Sequence, residues 1–251
     1  MKDALKDLIF KMADDALIIG HRNSEWTGIG PMLEEDLAFS SMAQDKIGHS
    51  LALYRILQEH LDQPDPDTLA FKRPARDFKC CQFVELPIGE YDFSLVRHFL
   101  FDSAELIRYE MLSHSSFSPL AQLASKIKSE IKYHVMHADT LLKQLGRGSE
   151  EANARLQSAL NYSWPYALGI FEESQFENNL IASGIFEGEK VLRERWLERI
   201  SAIVQAAGLV LPEIEEHKIV YGGRKGFHSE YLQPLLDEMT EVTSSDPEAV
   251  W

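Results

Sequence analysis

Residues 39–57, FSSMAQDKIGHSLALYRIL, place Phe39, Met42, Lys46, His49, Leu53 and Ile56 at steps of three or four. That is the spacing of one face of an α-helix. Two members, Lys46 and His49, are foreign to an apolar stripe. Residues 127–145, IKSEIKYHVMHADTLLKQL, repeat the arrangement with Ile127, Ile131, His134, Ala138, Leu141 and Leu145. Two helices that each turn a histidine inward imply a shared polar centre inside a bundle.

Working outward from these stretches, the same period predicts a first helix over about 2–21 and a second from 33 past 57. A third covers about 92–113 and a fourth about 119–145, stopped by Gly146–Gly148. Between the second and third lies the Pro- and Asp-rich LDQPDPDT, then residues 69–91, which read as an extended connection along the body with room for a short strand. Further helix is expected over about 150–173, bent or interrupted at Pro165, and over 190–207, closed by Gly208, before a tail that carries YGGRKGFHSEYLQPLLDEMTEV. Two helix pairs joined by one long connection give an all-α, ferritin-like four-helix bundle with a long crossover and additional C-terminal helices. The expected organisation is a single domain, with a core bundle over about 2–146 and a helical extension over about 150–251.

Composition narrows the partners. Of 251 residues, 25 are Lys or Arg and 40 are Asp or Glu, a net charge of −15 that repels rather than neutralises nucleic-acid phosphates. No apolar run approaches the roughly 20 residues of a membrane span. The acid-containing N-terminus, MKDALKDLIFKMADD, is no signal peptide. Cys80 and Cys81 are the only cysteines, adjacent and poor partners for a disulfide. The expected compartment is the cytoplasm.

Di-iron bundles of this architecture use a Glu from each of two helices and Glu-x-x-His from each of the other two. Here Lys46–His49 and Ile131–His134 hold the Glu-x-x-His positions, so both motif carboxylates are replaced. Asp14, in series with Phe10 and Leu17, and Asp102, in series with Leu95, Phe99, Leu106 and Tyr109, are the acids expected from the first and third helices. A buried ammonium needs a partner, and Lys46 is expected to pair with Asp14 or Asp102. Asp15, Asp45, Glu105 and Glu130 read as solvated helix surface. Glu130 with His134, or Asp45 with His49, would be the remaining i, i+4 metal pairs. Asp14, Lys46, His49, Asp102, Ile131 and His134 thus form a degenerate di-iron set, with no metal and no catalytic residue expected.

Several longer motifs carry a resemblance: NSEW at 23–26, LEEDLA at 33–38, DTLAF at 67–71, VELPIGEYDF at 84–93, KSEIKYH at 128–134 and GGRKGFHSEYLQPLLDEM at 222–239. Over essentially its whole length the chain resembles the C-type subunit family of the bacterial ring-1,2-phenylacetyl-CoA epoxidases of phenylacetate degradation. The resemblance implies a structural protein without its own cofactor, paired with a catalytic A-type subunit that carries the di-iron centre. Obligate interfaces of this kind are rich in apolar contacts, so self-association of the isolated chain is expected as a substitute. Phenylacetyl-CoA contacts carried over from the family fall on Asp77, Phe78, Lys79 and Cys80, and on Asn178, Asn179 and Leu180. Lys72, Arg73, Arg76 and Lys79 concentrate positive charge where CoA phosphates could be held. The competing classes are a free-standing di-iron oxidase with altered ligands and an iron-storage bundle.

Overall fold

The computed structural model describes residues 1–245, and among them it contains α-helices and short 3-10 turns but no strand. The bundle consists of α1 (Lys2–Ser24), α2 (Leu33–Leu61), α5 (Tyr91–Leu112) and α6 (Ser118–Gly146), with α3 (Pro66–Phe71) and α4 (Gln82–Glu85) in the crossover. α7 (Glu150–Leu168), α8 (Glu177–Ala182), α9 (Glu189–Ala206) and α10 (Leu232–Ser245) follow. α1 packs along α2 and α5 along α6, so the chain builds two helical hairpins and joins them through residues 62–90.

The four bundle helices are of two kinds. α1 and α5 are buried on nearly every side, as befits helices whose sequences mix Leu, Ile, Phe and Ala around the whole circumference. α2 and α6 bury one stripe each and expose the other. What covers α5 on its remaining side is the extension. Trp196 of α9 is wholly buried, stacks on Trp164 of α7 at 5.5 Å between ring centroids, and donates its indole N–H to the Leu100 carbonyl at 2.9 Å. Glu189, the first residue of α9, receives Arg108 of α5 at 3.1 Å and also pairs with Lys11 of α1. The two cations hold its carboxyl down to about 2 although burial pushes the other way.

The crossover is helical where an extended run was expected. Asp62 ends α2 in the left-handed conformation (φ 56°), and Asp65 caps α3 by accepting from Thr68 N at 3.0 Å. A 3-10 turn over Ala75–Asp77 and the single turn of α4 follow, which leaves no strand in residues 69–91. Side-chain anchors on α1, not a sheet partner, satisfy this backbone: Asp14 accepts from Lys79 N and Asp15 from Cys81 N, at 2.7 and 2.8 Å. α7 continues through Pro165 and stops at Leu168, and α8 is a short helix that the apolar spacing does not signal. The tail helix is seen to residue 245.

Candidate functional site

Lys46 is completely enclosed, and its ammonium lies between two carboxylates of α5, Asp102 and Glu105. Those acids are one turn apart, so they share a face. Glu105 lies one residue off the stripe through Leu106, where a solvated position is expected; it is buried instead. Asp14 does not reach Lys46. It accepts from Tyr54 Oη at 2.6 Å and from the Arg73 guanidinium at 2.6 and 3.2 Å, outside the centre. The other α1 acid, Asp15, also expected at the surface, is buried and held by Arg224, with both ion-pair contacts at 2.7 Å.

The two inward histidines pair across the bundle. His49 Nε2 lies 2.7 Å from Glu130 of α6, and His134 Nε2 lies 3.0 Å from Asp45 of α2. Each imidazole therefore meets the acid of the facing helix, not the i, i+4 acid of its own, and Asp45 and Glu130 sit at the partly exposed rim. Ile131 is fully buried core. Two residues outside the traced stripes complete the centre. His98 Nδ1 lies 2.5 Å from Asp102 Oδ2, and His137 links His98 (3.4 Å) to Glu35 (3.1 Å), which accepts from Tyr91 Oη at 2.6 Å. The signal for His98 is its position four residues before Asp102.

Electrostatics follow from burial set against pairing. Burial disfavours charge on Lys46, but Asp102 and Glu105 outweigh it and raise its pKa. Burial likewise opposes ionisation of Asp102, yet Lys46 and His98 hold it well below the usual carboxylate range. Glu105 is pushed up to about 7, chiefly by burial. His134 falls to about 4 and His49 is also lowered, in both cases chiefly by burial. The set does not fit a di-iron pair: an ammonium already occupies the space between the two carboxylates nearest the centre, and neither Glu-x-x-His motif keeps its glutamate. Two ferrous ions in this architecture are matched by four carboxylates and two imidazoles.

The residues carried over as substrate contacts divide by exposure. Asp77, Asn178 and Asn179 are exposed, Lys79 is half-buried, and Phe78, Cys80 and Leu180 are in the core. Of the four crossover cations, Arg73 is committed to Asp14 and lies over the Phe78 ring at 4.1 Å, and Lys79 pairs with Asp7 at 2.5 Å. Lys72 and Arg76 are the exposed ones. Asp7 also accepts from Ser174 Oγ at 2.5 Å, in the segment just ahead of α8, so it ties Lys79 to that segment. A cavity of about 280 Å³ opens there, lined by Asp7, Lys11, Lys79, Ser174, Arg224 and Lys225 among others.

The model of the phenylacetic acid catabolic protein family matches residues 1–251. The chain belongs to that family. It is 29% identical over 241 residues to the C-type subunit of the 1,2-phenylacetyl-CoA epoxidase of Escherichia coli K12, covering 96% of each chain. It is 25% identical over 198 residues to the A-type subunit of the same bacterium's epoxidase, covering 76% of this chain and 63% of that one. The homology thus runs along nearly the full length of the C-type protein, and the similarity to the A-type protein is weaker. Among the described residues no helix is long and apolar enough to cross a membrane.

Proposed function

We propose that this chain is a non-catalytic scaffold protein of a ring-1,2-phenylacetyl-CoA epoxidase, without a metal at its bundle centre, working in the cytoplasm beside a di-iron subunit of the same fold. The observation that carries the reading is Lys46, whose buried ammonium lies between Asp102 and Glu105 where a di-iron protein needs metal. Homology to both the C-type and the A-type epoxidase proteins supports pairing of like with like.

The outer helices offer a face for that pairing. Leu33, Leu37, Ile47 and Leu51 recur at helical spacing on the exposed side of α2, and Tyr133 and Met136 are exposed on α6. Without the partner subunit the chain pairs with itself through this apolar face. The acyl-CoA is shared with the catalytic subunit. Lys72 and Arg76, both exposed, meet its phosphates, and Lys79 lines the cavity at Asp7, with exposed Asp77, Asn178 and Asn179 supplying further polar contacts. Phe78, Cys80 and Leu180 act on substrate only by shaping the backbone under these groups, because their side chains are enclosed.

Reconstitution with the cognate A-type subunit, a reductase and phenylacetyl-CoA tests the proposal. Turnover is expected only when both proteins are present. Turnover by this chain alone, or full activity when it is omitted, rejects it.

A further inference from the structure

We propose that Cys80, Glu85 and His228 form a zinc-class metal site that fastens the C-terminal segment to the crossover. The three donor atoms converge from different parts of the chain: Cys80 Sγ lies 3.6 Å from Glu85 Oε1 and 3.9 Å from His228 Nδ1. Tetrahedral zinc, with bonds of about 2.0–2.3 Å to nitrogen, oxygen and sulfur, spaces its ligand atoms roughly 3.3–3.6 Å apart. The sulfur-to-oxygen edge is already at that range, and the sulfur-to-nitrogen edge, at 3.9 Å, closes by about 0.3 Å. The third edge, His228 Nδ1 to Glu85 Oε1, is 2.6 Å and opens by less than about 1 Å to admit the ion.

The hydrogen-bond inventory explains why that edge is short. His228 Nε2 lies 3.1 Å from the Phe78 carbonyl, which can only accept, so Nε2 carries a proton. Nδ1 then faces a carboxylate oxygen, and two lone pairs at that separation need a proton or a cation between them. A histidine whose other nitrogen donates to a backbone carbonyl is the usual arrangement of a metal ligand. Glu85 is fixed in the same manner: its second oxygen accepts from Ser229 N at 2.7 Å and Ser229 Oγ at 2.6 Å. Cys80 and Glu85 are fully enclosed and the His228 side chain is 6% exposed, so the three donors are shielded from bulk solvent and a single water would complete the tetrahedron.

Charge and softness select the ion. One thiolate, one carboxylate and one neutral imidazole balance a divalent cation, and the sulfur and nitrogen donors favour zinc over magnesium or calcium. Burial, then the neighbouring Glu85, hold the Cys80 thiol pKa well above its ordinary value, so the metal-free thiol keeps its proton and metal uptake releases it. This assignment rests on the seam alone and stands apart from the bundle centre. It also gives Cys80, carried over as a substrate contact, a different task.

The full chain, stripped with a chelator and titrated with cobalt(II), is expected to develop thiolate-to-cobalt charge-transfer absorption saturating at one equivalent, which zinc then abolishes by displacement. Zinc is expected to raise the Tm. The absorption should vanish in Cys80→Ser and persist in Cys81→Ser, and Ser229→Ala should weaken zinc binding by about 10–100-fold through loss of the Glu85 anchor. Absence of the band in the unmodified chain overturns the proposal without recourse to any variant. A band that survives Cys80→Ser overturns it equally.

Discussion

The bundle centre and the seam between crossover and C-terminal segment both bury charge, but they do so with different materials. At the centre every charged group projects from a long helix, and the partners are side chains: Lys46 with Asp102 and Glu105, His49 with Glu130, His134 with Asp45. At the seam the backbone is irregular and takes part itself. Arg224 grips Asp15 with two nitrogens and donates as well to the carbonyls of Lys11, Lys79 and Ile170. Glycine makes room for this: a Cβ on Gly223 would lie 2.3 Å from the Cys80 carbonyl oxygen, and one on Gly226, whose φ is 81°, would lie 2.4 Å from that of Arg76. The centre is thus held by a face-to-face match of helices, and the seam by close approach of chains far apart in sequence.

The comparison is first broken by removing the cation from each region. Lys46→Ala leaves two buried carboxylates without their shared partner and is expected to cost about 3–5 kcal/mol. Lys46→Met, which keeps volume and loses charge, should also be destabilising because the acids remain. An unchanged denaturation midpoint in both variants would contradict the burial of Lys46. Arg224→Ala leaves one carboxylate, Asp15, uncompensated and frees the tail, with an expected loss of about 3 kcal/mol. Hydrogen exchange should then show faster exchange in residues 76–86 than in α5. Uniform exchange across both would mean that the seam is no separate structural unit.

The difference between the regions also decides what is legible in the sequence. Helical period places Lys46, His49, Asp102, Ile131 and His134 on facing stripes, because residues three and four apart must share a face. The same period misses Glu105 by one residue of register, and assigns Asp14 to the centre when it belongs to Tyr54 of α2 and to Arg73 of the crossover. Nothing periodic joins Glu85 to His228 or Asp15 to Arg224, pairs separated by 143 and 209 residues. Those contacts depend on irregular loops whose path no local spacing encodes. The extended connection expected over residues 69–91 fails for the same reason: the crossover's hydrogen-bond partners are α1 carboxylates, which short apolar runs such as QFVEL do not announce.

A smaller effect sharpens the account of the centre through pH. Burial pushes Glu105 from 4.5 up to about 7, so the stability it contributes is complete below 4.5 and is lost as pH rises towards 7. Burial takes His134 from 6.5 down to about 4, so its contribution is present above 6.5 and is lost as pH falls towards 4. The two slopes oppose one another. Glu105→Gln removes the first, and stability should then climb more steeply with pH between about 4 and 6.5 than in the unmodified chain. Urea midpoints across that window measure it, and an equal or shallower climb would contradict the assignment.

The smallest effect on folding is expected at the exposed crossover cations. Lys72→Ser with Arg76→Ser should change stability by no more than about 0.5 kcal/mol while raising the KM for phenylacetyl-CoA in the reconstituted complex. Arg73→Ser should do the reverse, lowering the Tm by abandoning buried Asp14. Equal behaviour of the two variants would mean that the crossover cations are not divided between surface and core.

Whether Lys46 stands in for metal is tested most directly by anaerobic reconstitution with ferrous iron, followed by metal analysis of the unmodified chain and of a variant with both His49→Ala and His134→Ala. No pair of iron ions is expected at the bundle centre, and the two proteins should hold the same amount of iron. Two ions per chain in the unmodified protein, lost when the histidines are removed, would contradict it.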